Sequence, residues 1–333
     1  VNKLSTSLLN AKKILDGNVK LKSISLEDAH LYMKTYKNEK DDNLAVFIDS
    51  FDPDIPKDSL RKPFVLETSN IYVSNLNYKL TNENDTIPIK YSATRIGGNL
   101  QSFSIVGPNV KTNIRGLYFT ESNGLNITNL TTNFSYSLNA MHFNETTLET
   151  KSSKIKGNIL FTYNRADLKD FNNKVKIKAY FKKSTFSIHD FKKLYSELSG
   201  DDVFSFTANA SGTLNDLKIQ NVYLNSKNGL QVLGDLSFVN SINTEKAFLF
   251  KGDLEKLSTT YADLVSMLPN VLGNTLPTAL SSIGVFTLNG FVKVTAVDLT
   301  ANVAVKSEIG TIASEFQIIN IDTIDFAEYS GDI

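Results

Sequence analysis

The feature that most limits what this chain can fold into is strict alternation of apolar and polar residues. In NFSYSLN, Phe134, Tyr136 and Leu138 fall on one side, with Asn and Ser on the other. NILFTY repeats this with Ile159, Phe161 and Tyr163, and KVKIKAYF sets Val175, Ile177, Ala179 and Phe181 against lysines. VFSF adds Phe204 and Phe206. A period of two belongs to a sheet with one apolar and one wet face. Parallel strands covered on both faces would read as unbroken apolar runs, so these strands are expected to be of antiparallel type. Asn-Gly at 123–124, 228–229 and 289–290, Gly-Gly at 97–98 and Gly-Pro at 107–108 read as turns between them.

Helical spacing is confined to a few segments. TSLLNAKKILDG (6–17) predicts a short helix carrying Leu8, Leu9, Ile14 and Leu15. SIHDFKKLYSELSG (187–200) places Ile188, Phe191, Leu194, Tyr195 and Leu198 on one stripe before Gly200. Residues 257–284, LSTTYADLVSMLPNVLGNTLPTALSSIG, carry one charge, Asp263. Pro269, Pro277, Asn270 and Asn274 interrupt this stretch too often for a membrane span. It predicts an amphipathic helix packing Leu257, Tyr261, Leu264 and Leu268 onto the sheet, with a further turn or two in LPTALSSIG. Such a helix lies either at the mouth or interior of a trough, or as a plain cover over one edge or end of the sheet. FDPDIPKDSLRKPF (51–64) reads as a loop or linker, and KNEKDDN (37–43) as an exposed hairpin turn.

Two stretches resemble each other. In both, a strand ends in Phe-Lys, a short helix follows, and a long strand run resumes at Val-Phe (203–204 and 285–286). The second carries roughly a dozen extra residues around Pro269 and Pro277. A repeat of this length implies stacked β-units that share one core.

Lys plus Arg and Asp plus Glu each number 35, which argues against a nucleic-acid binder. Cysteine is absent, removing thiolate zinc sites, iron–sulfur clusters, disulfides and cysteine nucleophiles. No P-loop, G-x-S-x-G, G-x-G-x-x-G or H-E-x-x-H occurs. His30, His142 and His189 are far apart and read as strand or helix-start residues. Asp52, Asp54 and Asp58 lack the glycine and closing Glu of an EF-hand loop. The sequons at Asn84, Asn126, Asn129, Asn133, Asn144 and Asn209 fit an Asn-, Ser- and Thr-rich composition. The expectation is a non-enzyme without cofactor or metal. What remains is apolar surface, with 21 Phe and 13 Tyr; on composition alone this is the core of a β-sandwich. No signal-peptide core or uninterrupted apolar run of about 18 residues is present. The start on Val1 reads as a piece of a longer chain.

VNKLSTSLLNAKKILDGNVKLKSISLEDAHLYMKTYKNEKDDNLAVFIDSF resembles the opening module of the AsmA-like family. There a strand leads into a short SLL…LL-G segment, followed by two strands of the VKLKSISLEDAHL kind and an Asn-Leu element, here Asn43-Leu44. Residues 257–290 resemble that family's recurring L-S…D-L…L-L-P…L-G…L-P insertion. With the Tyr- and Asn-rich strands between, the chain is most similar to the TamB branch in its Bacteroidota form.

The resemblance implies a mainly β fold: an elongated, twisted, taco-like groove of antiparallel-type strands with a few short amphipathic helices. Its boundaries would be an opening module at 1–55, continuous groove at 56–181, and two related units at 182–240 and 251–333, each preceded by a short helix. It implies a periplasmic bridge for phospholipid, or an aid to outer-membrane assembly. An N-terminal helix would anchor it in the inner membrane, and an Omp85-class barrel would be met through a region outside these residues. Groove-lining candidates are then Phe134, Tyr136, Leu138, Ile159, Phe161, Tyr163, Val175, Ile177, Phe181, Phe204 and Phe206. Leu257, Tyr261, Leu264 and Leu268 form the groove-associated helix. The competing expectation is a structural or adhesive β-repeat protein with closed sandwich cores.

Overall fold

The computed structural model describes residues 3–8, 17–49, 63–192, 199–242, 246–267, 278–321, 323 and 326–332. It is mainly β, and it divides into two compact units, 1–151 and 152–333. The expected linker at 51–64 lies almost wholly outside the described residues.

The first unit contains β1 (Lys3–Leu8), β2 (Asn18–Glu27), β3 (His30–Thr35), α1 (Asn43–Asp49), β4 (Val65–Asn82), β5 (Ile89–Val106), β6 (Asn109–Glu121), β7 (Asn126–Tyr136) and β8 (Ala140–Glu149). β4 to β8 form an antiparallel meander. β2 and β3 both run parallel to β4, against the expectation of purely antiparallel strands, and β1 pairs antiparallel with β2. The parallel step is possible because the β3-to-β4 connection is long and carries α1, as a crossover requires. The break between β2 and β3 falls at Asp28 (φ 50), beside Asn75 (φ 54) of β4. Asn75 Nδ2 donates to Asp28 Oδ1 at 2.7 Å and locks the two irregularities together. The exposed turn after β3 is closed by an isolated Thr35–Asp42 bridge, and α1 begins at Asn43, so 37–43 is a turn leading into a helix and not the expected hairpin.

The helix expected at 6–17 is wrong at its start. Thr6 to Leu8 belong to β1, in register with Ile24 to Leu21. Ladder pairing there overrides local helical preference, and residues 9–16 lie outside the described residues.

The second unit contains β9 (Lys154–Thr162), a 3-10 turn (Arg165–Asp170) leading into α2 (Phe171–Lys174), β10 (Lys176–Ser187), α3 (Ile188–Phe191), β11 (Val203–Thr213), β12 (Asp216–Ser226), β13 (Gln231–Val239), β14 (Leu249–Thr260), α4 (Tyr261–Met267), a 3-10 turn (Thr278–Ile283), β15 (Val285–Thr295), β16 (Asp298–Ser307), β17 (Gly310–Ile319) and β18 (Glu328–Asp332). Each strand pairs antiparallel with the next. This sheet is open: among the described residues no ladder joins β18 to β9.

Two expected turns are strand interior. Gly97-Gly98 lies in β5 and Asn289-Gly290 in β15. A Cβ on Gly290 (φ +124) would fall 2.2 Å from the carbonyl oxygen of Asn302 on β16. Glycine marks a close backbone approach here, not a turn.

The stripe expected from Leu257 to Leu268 also needs correction. Leu257 is a β14 residue and the helix begins at Tyr261. A bulge between Leu254 and Leu257 keeps Leu257 on the apolar face at the end of the strand, and its four-residue spacing from Tyr261 imitates a helix. Leu268 lies outside the described residues. The helix expected over 187–200 is described as α3 alone, with 193–198 outside. LPTALSSIG does contain its further turn, at Thr278–Ile283.

Candidate functional site

The apolar residues of the second unit line up across the strands. One row runs Ile159, Ala179, Ala210, Ile219, Leu236, Gly252, Val292, Ala301, Phe316, from β9 to β17. A parallel row runs Phe161, Ile177, Gly212, Leu217, Phe238, Phe250, Val294, Leu299, Ile318 over the same strands. Neither contains a polar side chain. The opposite face of β10 exposes Lys176, Lys178, Lys182 and Lys183. The chain therefore places one continuous greasy face against one wet face, as the alternation demands.

Small and large residues on that face shape a cavity of about 490 Å³. Its floor is built of Ala179, Ala208 and Ala210, and its walls of Phe161, Phe171, Phe181, Phe186 and Phe206. Ile159, Ile177, Leu214, Leu217, Ile219, Val222, Leu224 and Leu236 complete the lining, which is apolar throughout. The rings brace one another, with Phe161–Phe171 centroids 5.5 Å apart, Phe181–Phe206 5.8 Å and Phe186–Phe206 5.6 Å. The volume is in the range of small-molecule sites. With no polar group to fix a ligand's orientation, it suits a flexible hydrocarbon.

Hydrogen bonds hold both ends. Asn215, in the β11–β12 turn, donates its backbone N–H to the Asn172 carbonyl at 3.0 Å and its Nδ2 to Asn173 Oδ1 at 2.8 Å. This ties the α2 segment over the strand ends and sets Phe171 against Phe161. At the other end Ile188 of α3 is buried with Phe204 and Leu230, and Leu264 of α4 packs on the same cluster. Phe186 and Leu224 belong both to that cluster and to the cavity wall. Ser153 Oγ donates to the buried Asp190 carboxylate at 2.6 Å and accepts from the Ser187 backbone N–H at 2.9 Å, pinning the start of α3. Both helices open on a hydroxyl: Ser187 Oγ accepts from the His189 backbone N–H, and Thr260 Oγ1 from that of Asp263.

Of the lining candidates, Ile159, Phe161, Ile177, Phe181 and Phe206 reach the cavity. Phe204 is buried in the helix cluster instead, and Val175 and Tyr163 are buried without lining the cavity. Phe134 and Tyr136 belong to the first unit. The Phe134 ring lies tilted against Phe143 with centroids 4.9 Å apart, and Tyr136 is in register with Met141 and Val110. Leu138 sits in the β7–β8 turn. Tyr261 and Leu264 lie on α4.

Sequence reading missed Phe186 and the whole β12 wall. Simple alternation from Leu217 and Ile219 would bring Tyr223 inward, yet Tyr223 is 46% exposed. A bulge at Asn221 (φ 51) reverses the parity, so Val222 and Leu224 face the cavity. The same reversal at Lys183 (φ 45) turns Phe186 inward.

Charge is concentrated elsewhere, at the β3–β4 tip of the first unit. Glu83 Oε1 meets Lys34 Nζ at 2.5 Å, and its other oxygen accepts the Lys37 backbone N–H at 3.2 Å. The hydrogen bond from Lys34 holds the Glu83 carboxyl below the usual carboxylate range, and the same contact raises the Lys34 ammonium. Burial raises the Tyr78 and Tyr91 phenols nearby. Among the described residues no group of three or more His, Cys, Asp or Glu could hold a metal ion. No described helix is long and apolar enough to cross a membrane.

Comparison with protein-family models, with curated proteins and with solved structures finds no match to the chain.

Proposed function

We propose that this chain is a stretch of a lipid-carrying β-groove, as the likeness to the TamB and AsmA-like family implies. The observation that carries the reading is the pair of unbroken apolar rows from β9 to β17, opening on a cavity with a wholly apolar lining. Burial stabilises a hydrocarbon by roughly 0.8 kcal/mol per methylene, so a tail of about sixteen methylenes gains on the order of 12 kcal/mol. That offsets the cost of leaving a bilayer. A row without polar interruptions holds the tail at nearly even energy along its length, so sliding needs no catalytic group.

In this reading the substrate is phospholipid, and the role is bridge-like transfer or outer-membrane assembly in the periplasm. Inner-membrane anchoring and contact with an Omp85-class barrel belong to segments other than these residues. Lipid mass spectrometry on the purified chain tests it, together with photocrosslinkers at Phe134, Phe161, Ile177 and Phe206 on the apolar faces and at Tyr180 and Tyr223 on the outer face. Phospholipid adducts confined to the apolar-face positions are expected. A lipid-free protein whose apolar-face positions capture nothing would overturn the proposal in favour of a structural β-repeat.

A further inference from the structure

The registers of the second unit repeat every four strands. β10 pairs with β11 through Phe181–Ala208 and, past a bulge, Ser184–Phe206, and a helix starts after Ser187. β14 pairs with β15 through Leu254–Gly290 and, past a bulge, Leu257–Leu288, and a helix starts after Thr260. The preceding ladders agree as well, since Phe161–Ile177 and Ile159–Ala179 correspond to Phe238–Phe250 and Leu236–Gly252. β9 to β12 and β13 to β16 are therefore two copies of one module. Lys178 and Lys251 hold the same place in each, on the wet face.

That wet face is striped by charge. One row runs Lys178, Ser211, Lys218, Ser237, Lys251, Lys293, one residue per strand from β10 to β15. It holds no carboxylate, and Lys251 faces Lys293 directly. Two residues along each strand, a second row runs Tyr180, Asn209, Gln220 and, past the Asn221 bulge, Asp235, Asp253, Phe291. Here Asp235 faces Asp253 directly. Like charges directly opposite each other destabilise a ladder, so a lone copy carries two unfavourable pairs side by side. All four lysines are exposed, and none forms an ion pair among the described residues. Tyr180 and Phe291 stand out on the same face, 52% and 40% exposed.

The two rows complement each other strand by strand. Lys218 shares β12 with Gln220, Lys251 shares β14 with Asp253, and Lys293 shares β15 with Phe291. An amide oxygen, a carboxylate and an aromatic face all accept an ammonium group. A two-fold axis lying along the rows, midway between them, sets each strand against its own equivalent and exchanges the rows. Lys251 then meets the partner's Asp253, Asp253 meets the partner's Lys251, and Lys293 meets the partner's Phe291. We propose that this striped face is an isologous contact with a second copy of the chain, centred on the Lys251–Asp253 exchange. An anionic polymer on the lysines would have Asp235 and Asp253 about 7 Å away, two residues along the strand, whereas a second copy satisfies both rows. The contact is small, so it should be weak and sensitive to salt. It involves the wet face alone and is independent of what the groove carries.

Sedimentation of the whole chain at low ionic strength, over a range of concentrations, tests it. The wild type should associate, and added salt should weaken the association. Lys251→Glu and Asp253→Lys each set like charges against one another twice per dimer, and each alone should weaken association about tenfold or more. Mixed together, the two variants again oppose unlike charges at both positions, and should associate to within about threefold of the wild type. Recovery on mixing also shows that both variants are folded. A wild type that stays monomeric at low salt, or variants that associate no better mixed than alone, would overturn the proposal. So would inorganic polyphosphate binding by a monomeric wild type, lost in Lys251→Glu and raised in Asp253→Lys, since the lysines would then serve an anionic polymer.

Discussion

Phe181 and Leu254, 73 positions apart, hold one place in the sheet twice: each is the last residue paired with the downstream strand before a bulge on its own strand. Each also faces a glycine upstream, Gly157 for Phe181 and Gly234 for Leu254. Downstream the two copies differ. Ala208 stands opposite Phe181 where β12 bulges against β11, whereas Gly290 stands opposite Leu254 in an unbroken β15–β16 ladder. One copy bends to admit a methyl group and the other removes it.

Gly290→Ala should therefore destabilise the second unit by about 1–3 kcal/mol, because the backbone is left-handed there and the Asn302 carbonyl blocks the added carbon. Gly252→Ala should change stability little. Its counterpart is already Ala179, and its new carbon would touch only the Phe250 and Leu236 side chains. Denaturant unfolding of the two variants checks the contrast.

Filling the cavity floor separates occupancy from folding. Ala210→Phe places a ring among Phe161, Phe181 and Phe206, and overpacking costs about 1–3 kcal/mol. Bound hydrocarbon should fall severalfold in the folded fraction, measured by native mass spectrometry. Undiminished binding would mean that the cavity is not where the hydrocarbon sits.

Leu264→Ala removes the contact between α4 and the Ile188–Phe204–Leu230 cluster. The expected loss is about 1–3 kcal/mol for a partly buried leucine. Amides of residues 261–267 should exchange faster, while those of β9 stay protected.

Ser153→Ala leaves the buried Asp190 carboxylate without one of its donors, at a cost of about 1–3 kcal/mol. The loss should appear as faster exchange at the start of α3. Ser153→Thr, which keeps the hydroxyl, should recover part of it.

The Lys34–Glu83 contact gives the first unit a pH-dependent tip. Glu83 titrates below its ordinary value, so its tie is fully present above the ordinary carboxylate pKa and is lost as pH falls through the depressed one. Lys34 titrates above its ordinary value, so its share persists until pH rises through the raised one. Exchange in the 36–40 turn should be slowest between those limits, and Glu83→Gln should flatten the profile.

Strand existence and inward parity were legible wherever alternation ran unbroken, as at Ile159, Phe161, Ile177 and Phe181. Parity failed past Lys183 and Asn221, because a bulge leaves no mark on composition and reverses every residue after it. Leu257 failed because its four-residue spacing from Tyr261 is that of a helix, although the strand runs on to Thr260. Gly97-Gly98 and Gly290 read as turns because a glycine demanded by a neighbouring carbonyl looks the same in sequence as one demanded by a reversal. The parallel β2–β4 pairing depends on a crossover that local pattern does not encode.

The two module copies differ in length without differing in stride. From the residue before the helix, the next strand begins 16 positions on in the first copy and 25 in the second, Ser187 to Val203 against Thr260 to Val285. The strand registers are untouched by the excess. Each module advances the sheet by four strands, about 19 Å at the usual inter-strand spacing, however much chain is spent in its connector. Reach is thus counted in copies, and connectors are free to vary as local fittings along a track of fixed gauge.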